Sequence, residues 1–119
     1  MKKVKGKGNC FNKTAEYAIH NKDATDIKIV HGIIVGQGPI EGLEHGHAWL
    51  VKGDSVIDLE NGITMEIKAY EKAARLKHKV TYSIKAALRL INSSGHLGPW
   101  DEYITKINKK AHEDCNLKY

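Results

Sequence analysis

The chain has 119 residues, of which 41% are apolar and 28% charged, and its formal net charge is +5. This size and composition predict a single globular domain over residues 1–119, and no apolar run approaches the roughly 20 residues of a membrane-spanning helix. The first residues lack the apolar core of a signal peptide, and two cysteines, Cys10 and Cys115, are too few for a disulfide framework. We therefore expect a reduced, cytoplasmic protein without membrane contact, flexible at residues 1–8 and 113–119.

The positive charge comes from 17 lysines and two arginines. The lysines are dispersed along the chain, whereas nucleic-acid recognition favours arginine forks and interleaved aromatic residues. A solvated surface is therefore the favoured interpretation, and a weak contact with an anionic surface is the alternative. The best candidate for that contact is the N-terminal cluster of Lys2, Lys3, Lys5 and Lys7.

The first predicted element is a helix that begins after a loop at residues 6–9, with Asn9 as its N-cap. Apolar residues recur at helical spacing over residues 10–20, which predicts one buried face. Cys10 then lies in the first turn, where free backbone N–H groups and the helix dipole stabilise a thiolate. A buried structural cysteine is the alternative.

A strand follows at residues 27–35, and its β-branched, apolar composition predicts a central position in a sheet. Residues 36–42 form a loop with a Gly-x-Gly pattern. No helix opens after the loop and Pro39 lacks an N–H, so a phosphate-binding role is not favoured. We expect this loop to shape a cleft beside the following hairpin, where Gln37 could supply a side-chain amide.

Residues 48–51 and 56–59 predict a β-hairpin around a Lys-Gly-Asp-Ser turn. Side chains alternate along a strand, so His47 and Trp49 share one face. If the loop contains an even number of residues, Asp58 lies on that face within reach of His47. A histidine beside an aspartate is the arrangement that orients a general base.

The rest of the chain predicts a third antiparallel strand at residues 63–67, a helix at 69–78 and a short edge strand at 80–82. Ser83 is the predicted N-cap of a helix at 84–91, and residues 102–112 form a last polar helix. The expected class is α+β, with a small antiparallel sheet and the cysteine-bearing N-terminal helix packed on it.

Several further side chains are weaker candidates for substrate contact. His96 and Trp100 belong to a compact turn that either closes the domain, with Trp100 as a plug, or forms a wall of the cleft. Trp49 is expected in the core, although it shares the face of His47. His45 is an alternative base, or a partner of His47 in a zinc set with Asp58 and Cys10. The only other Cys/His pair at metal spacing is the weak His112-x-x-Cys115 near the end of the sequence, so we predict neither metal nor cofactor.

The order of these parts resembles the papain-like superfamily: a cysteine at a helix start, a histidine on a strand and an aspartate on the next strand. The resemblance covers the first half of the chain and is strongest to the small transglutaminase-like and NlpC/P60-like proteins of bacteria and phages. The matching residues are Asn9-Cys10-Phe11, His47-Ala48-Trp49 and Asp58. The resemblance implies a papain-like core in which Cys10 is the nucleophile, His47 its base and Asp58 the group that orients the imidazole.

These residues predict a cysteine hydrolase that forms a thioester with a protein, peptide or amide substrate. The backbone N–H of Cys10 is the expected first oxyanion donor, and Gln37, Asn9 and His31 are candidates for the second. The sequence leaves peptidase, amidase, deamidase, isopeptidase and acyl transferase open, and also the oligomeric state. Two other classes stay open: a non-catalytic binding or inhibitor module on the same fold, and a lysine-rich nucleic-acid-binding protein.

Overall fold

The chain forms one antiparallel sheet with helices packed on both faces. The structure is a computed structural model that describes the backbone of residues 2–118 and the side chains of residues 10–113. A short 3-10 turn, Gly38–Ile40, lies between the first two strands. The elements in chain order are α1 (Lys2–His20), β1 (Ile27–Val35), β2 (Glu44–Lys52), β3 (Ser55–Asp58), β4 (Ile63–Glu66), α2 (Ile67–Ala74), β5 (His78–Ser83), α3 (Ile84–Ser94) and α4 (Glu102–Lys118).

The sheet has five strands in the order β4-β3-β2-β1-β5, and every neighbouring pair is antiparallel. β1 pairs with β2 over its whole length and with β5 on its other side, as its buried, β-branched sequence predicts. β5 is an edge strand, also as predicted. The predicted α+β class, with an antiparallel sheet and a helix that carries Cys10, is confirmed.

The hairpin between β2 and β3 has the even-numbered loop on which the His47–Asp58 prediction depends. Lys52 pairs with Ser55, so the loop contains only Gly53 and Asp54. Gly53 adopts a φ of 60°, which the first central residue of a type II′ turn requires and glycine accommodates without strain. The tight turn fixes the register of the two strands, and the alternation of side chains follows from it.

Alternation along β2 sends neighbouring side chains to different clusters. Ala48 is buried with Cys10 of α1, and Leu50 is buried in the adjoining cluster on the α1 and α3 side. Trp49 is buried with Tyr70 of α2. The core is therefore built from two layers, with β2 at its centre.

Every helix has at least one boundary that differs from the sequence prediction; α3, for example, continues past residue 91 to Ser94. α1 begins at Lys2, so residues 6–9 are helical rather than a loop and Cys10 lies in the helix interior rather than its first turn. Two glycines cost about 1 kcal/mol each in a helix, a local signal too weak to end it. α2 is displaced from the predicted 69–78 and ends where Arg75 adopts a left-handed conformation, with a φ of 55°. α4 continues past residue 112 to Lys118.

Other local predictions are confirmed. Ser83 caps α3 and its hydroxyl accepts a hydrogen bond from the N–H of Ala86. β4 pairs with β3 as predicted. The flexibility predicted for residues 1–8 and 113–119 stays a prediction, and the side chains of Lys2, Lys3, Lys5, Lys7, Asn9 and Cys115 lie outside the described residues. In the described part of the chain, no helix has the length and apolar character needed to cross a membrane.

Candidate active site

His47 and Asp58 form a buried hydrogen-bonded pair, as the sequence predicts. Nε2 of His47 donates to Oδ2 of Asp58 over 2.9 Å, and the two residues are only 4% and 1% exposed. His47 lies where β2 extends beyond the strand pairing with β3, which reaches no further than Leu50 opposite Ile57. No residue of β3 pairs with His47, which leaves room around its ring for side chains from other parts of the chain.

Asp58 accepts three further hydrogen bonds, so both oxygens of its buried carboxylate have donors. The Tyr70 hydroxyl donates to Oδ2 over 2.7 Å, and Asn61 donates its side-chain amide to Oδ2 and its backbone N–H to Oδ1, over 2.9 and 3.0 Å. Sequence reasoning missed both residues in this role. The sequence did contain a signal for Asn61, because an asparagine three residues after an aspartate can close a turn by bonding to its carboxylate. It contained none for Tyr70, which lies on a separate helix.

Glu60 approaches the His47 ring at Nδ1, and Cys10 also lies close to both residues. Donor atoms of Cys10, His47 and Glu60 all lie within 4.8 Å of one another, and Nδ1 of His47 is 3.6 Å from Oε1 of Glu60. The structure thus brings the three predicted catalytic residues together. It adds Glu60, which sequence reasoning missed because it follows the last paired residue of β3.

Cys10 itself differs from its predicted environment in two ways. It lies inside α1, so its own N–H belongs to the helix interior rather than to the four unbonded N–H groups at a helix start. It is also only 1% exposed, within a cluster that includes Ile104 of α4. The predicted first-turn thiolate and the predicted oxyanion role of the Cys10 N–H therefore lose their structural basis.

The electrostatics of the His47–Asp58 pair favour an ion pair. Burial acts to lower the pKa of His47, but the hydrogen bond to Asp58 and the neighbouring Cys10 outweigh it and raise that pKa to about 10. Burial likewise acts to raise the pKa of Asp58, but His47, Tyr70 and Asn61 hold it well below its usual range. Burial raises the pKa of Glu60, against the opposing charge of His47.

A cavity of about 540 Å³ opens beside this pair. His47, Asp58 and Glu60 form part of its wall, whereas Cys10 does not line it. Much of the remaining wall is apolar, contributed by Ile34, Val35, Ile40, Leu43, Ile63 and Met65. In this conformation a molecule in the cavity reaches the imidazole and the Glu60 carboxylate but not the sulfur.

Two of the weaker candidates, Gln37 and His45, line this cavity. Gln37 is exposed and donates its amide to the carbonyl of Ala73, which positions the loop after β1 as a wall of the cleft. His45 is half-buried, with Nδ1 3.1 Å from the carbonyl oxygen of Gly46. Neither side chain belongs to the Cys10–His47–Glu60 group.

The other candidates are not in the cavity wall. Trp49 is 1% exposed and packs between His47 and Tyr70, which confirms it as a core residue and excludes the substrate contact. His96 is exposed and makes its hydrogen bonds within its own turn. Trp100 packs against the core, as expected of a plug that closes the domain, and the alternative in which this turn forms a wall of the cleft is not borne out by the cavity beside His47.

His31 is removed from the oxyanion role by its surroundings. It is fully buried on β1, stacked on Trp100 at 4.9 Å and in edge contacts with Phe11 and Tyr82. Burial lowers its pKa to about 3, against the charge of Asp101. Neither ring nitrogen has a hydrogen-bond partner among the described residues. The ring functions as part of the aromatic packing.

Comparison with known proteins finds no match to a family model, to a curated protein or to a solved structure.

Proposed function

We propose that this chain is a cysteine-dependent hydrolase with a papain-like arrangement of Cys10, His47 and Asp58. The observation that carries the proposal is a buried His47–Asp58 pair whose imidazole has the Cys10 sulfur within 4.8 Å. With Nε2 committed to Asp58, Nδ1 is the nitrogen available to Cys10. The roles match a nucleophile, a base and an orienting carboxylate.

The proposed reaction uses these groups in sequence. His47 holds the proton of the Cys10 thiol while the sulfur attacks the carbonyl carbon of an amide. The imidazolium then returns that proton to the leaving amine, which leaves a thioester on Cys10. Water adds to the thioester with His47 as base, and the acid product departs. Asp58 keeps the ring oriented throughout, because its other donors hold its carboxylate in place.

Turnover in this proposal requires a movement of α4. Cys10 shares a buried cluster with Ile104 of α4, Ile107 packs against that cluster, and Asn108 and Ala111 of the same helix line the cavity. Displacing this helix would join the cavity to the sulfur without disturbing the hairpin that holds His47 and Asp58. The substrate is expected to be a protein, peptide or amide with an apolar group beside the scissile bond, because the cavity wall is largely apolar.

Thiol alkylation tests the proposal. With EDTA present, and with α4 moving to admit the reagent as turnover requires, iodoacetamide should label Cys10 near pH 6 on the order of tenfold or more faster than Cys115, and His47→Ala should remove the difference. Asp58→Asn should slow the labelling, whereas Asp54→Asn, at the exposed tip of the same hairpin, should not. In urea both thiols should react alike. Slow labelling of both cysteines, rising only above about pH 8, would refute the proposal.

The burial of Cys10 favours a second candidate, a binding module in which the three residues only stabilise the fold. In that case Cys10→Ala would leave the biological effect of the protein intact, whereas it abolishes the effect of a hydrolase. For the nucleic-acid-binding alternative, exposed lysines occur on β1, β2, α2, β5, α3 and α4, with Lys106, Lys109 and Lys110 together on α4. This alternative would require an affinity that falls steeply with salt.

A further inference from the structure

Glu60 is the group that a Cys-His-Asp triad does not explain. A triad needs one carboxylate to orient its histidine, and Asp58 already fills that position at 2.9 Å. A second carboxylate near a thiolate opposes its formation, because like charges repel. Glu60 is nevertheless 18% exposed in its side chain and faces Nδ1 of His47 and the sulfur of Cys10. The three donors together suit a different ligand.

From this convergence, we propose that Cys10, His47 and Glu60 form a zinc-binding site. A thiolate, an imidazole and a carboxylate are the donors that Zn²⁺ takes in proteins, and three of them leave a fourth position open. This set differs from the alternative zinc set of His45, His47, Asp58 and Cys10 that the sequence raised, because Glu60 replaces both His45 and Asp58 as a ligand.

The distances fit a tetrahedral ion after small side-chain movements. Ligand atoms about 2.0–2.3 Å from one zinc ion lie roughly 3.3–3.8 Å apart. Nδ1 of His47 and Oε1 of Glu60 are already 3.6 Å apart, and one donor atom each of Cys10, His47 and Glu60 lies within 4.8 Å of the other two. An ion enters from the cavity, whose wall includes His47 and Glu60, and it contacts the Cys10 sulfur, which does not line the cavity, once these side chains have moved together.

The surrounding hydrogen bonds also suit a metal site. A zinc-bound histidine usually donates its second N–H to a carboxylate, which fixes the ring and strengthens the ligand. His47 donates Nε2–H to Asp58, and Asp58 is in turn held by Tyr70 and Asn61. Lys13 acts on Glu60 electrostatically and is the charge that opposes a cation here.

Zn²⁺ binds Cys10 as a thiolate and His47 through an unprotonated Nδ1, so binding releases the thiol proton and the Nδ1 proton of the imidazolium to solvent, and no oxidant or reductant is involved. Zinc binds the sulfur that the proposed hydrolase uses as its nucleophile, so the zinc-bound chain cannot act as that hydrolase. The zinc site does not depend on turnover, and it stands if the chain has no hydrolase activity.

Metal titration of the full chain tests the proposal, with Cys115→Ser as the background for every variant. We expect one equivalent of Zn²⁺ to bind in competition with a chromophoric chelator. Co²⁺ in its place should give a thiolate-to-cobalt charge-transfer band and the intense visible bands of a tetrahedral ion. Glu60→Gln should weaken Zn²⁺ binding on the order of tenfold or more. Glu44→Gln, an exposed carboxylate on the same hairpin, should not change it.

Glu60→Gln separates this proposal from the hydrolase. It weakens zinc binding while leaving or increasing the alkylation rate of Cys10 in EDTA, because it removes a negative charge near the thiolate. If Cys10→Ser folds by circular dichroism, it should lose the charge-transfer band; if it does not fold, Glu60→Gln decides the result. Absence of stoichiometric binding, a cobalt spectrum without the thiolate band, or affinity unchanged by Glu60→Gln would overturn the zinc site.

Discussion

The hydrogen bond from Tyr70 to Asp58 offers the most direct test of how the site is held together. Tyr70→Phe removes one hydroxyl and keeps the ring that packs against Trp49. The bond is 2.7 Å long and charge-assisted, and both partners are buried, at 6% and 1% exposure. The substitution therefore perturbs a single contact within the network around Asp58.

The magnitude follows from what the carboxylate loses. A buried hydrogen bond to a charged group contributes about 1.5–3 kcal/mol to the free energy of unfolding. Asp58 keeps its bonds from His47 and from both donors of Asn61, so the loss should fall in that range rather than reach the roughly 3–5 kcal/mol of an uncompensated buried charge. We expect Tyr70→Phe to reduce the free energy of unfolding by about 2 kcal/mol.

Urea denaturation at pH 7 measures this loss, and Tyr103→Phe is the matched control because Tyr103 is 51% exposed. The control should change the free energy of unfolding by less than about 0.5 kcal/mol. A double-mutant cycle with Asp58→Asn should show the two changes to be non-additive, since both affect the same bond. If Tyr70→Phe costs no more than Tyr103→Phe, or if the cycle is additive, Tyr70 does not stabilise the Asp58 charge.

Three further predictions concern the stability of the fold. Ser83→Ala should cost about 1 kcal/mol in urea unfolding, because α3 loses its side-chain N-cap, and equal stability would contradict that role. Gly32→Ala should lower the free energy of unfolding by about 1–3 kcal/mol, because a Cβ would lie 2.8 Å from Cη2 of Trp49. An unchanged melting temperature would contradict this, because it would show that the core accommodates the added methyl group. The pKa of Asp58 is lowered on folding, so its contribution is present above about pH 4 and is lost as pH falls further. The pKa of His47 is raised from 6.5 to about 10, so its contribution is complete below about pH 6.5 and is lost as pH rises towards 10. The melting temperature should therefore be highest between about pH 4 and 6.5. His47→Gln should reduce the fall in melting temperature as the pH rises above this range.

The hairpin could be predicted from the sequence because its signals are local. Alternation along residues 47–51 and the Gly53-Asp54 turn together fix the register, and the register places Asp58 beside His47. The neighbours of Asp58 and His47 could not be predicted in the same way. Tyr70 and Glu60 reach the pair through tertiary packing and through the path of the chain after β3, which no spacing pattern encodes.

The start of α1, unlike the hairpin, was predicted wrongly from local signals. Asn9 is a good N-cap residue and two glycines precede it, so every local signal placed the helix start there. The helix instead continues back to Lys2, and the position of Cys10 within it changes the chemistry expected of the thiol. Local preferences of this size are outweighed easily, and boundaries are where sequence reasoning is weakest.

The contact between Gly46 and Asn108 joins the last helix to the part of β2 that β3 does not cover. The pairing of β2 with β3 ends at Leu50, and further along this edge the Gly46 N–H donates to the Asn108 side-chain oxygen over 2.9 Å. The helix comes this close because residue 46 has no side chain, since a Cβ there would lie 3.1 Å from Asn108. Undocking of α4 would uncover an unpaired strand beside His47, and such an edge can pair with an extended chain. α4 thus protects the protein against strand-to-strand association as well as covering Cys10.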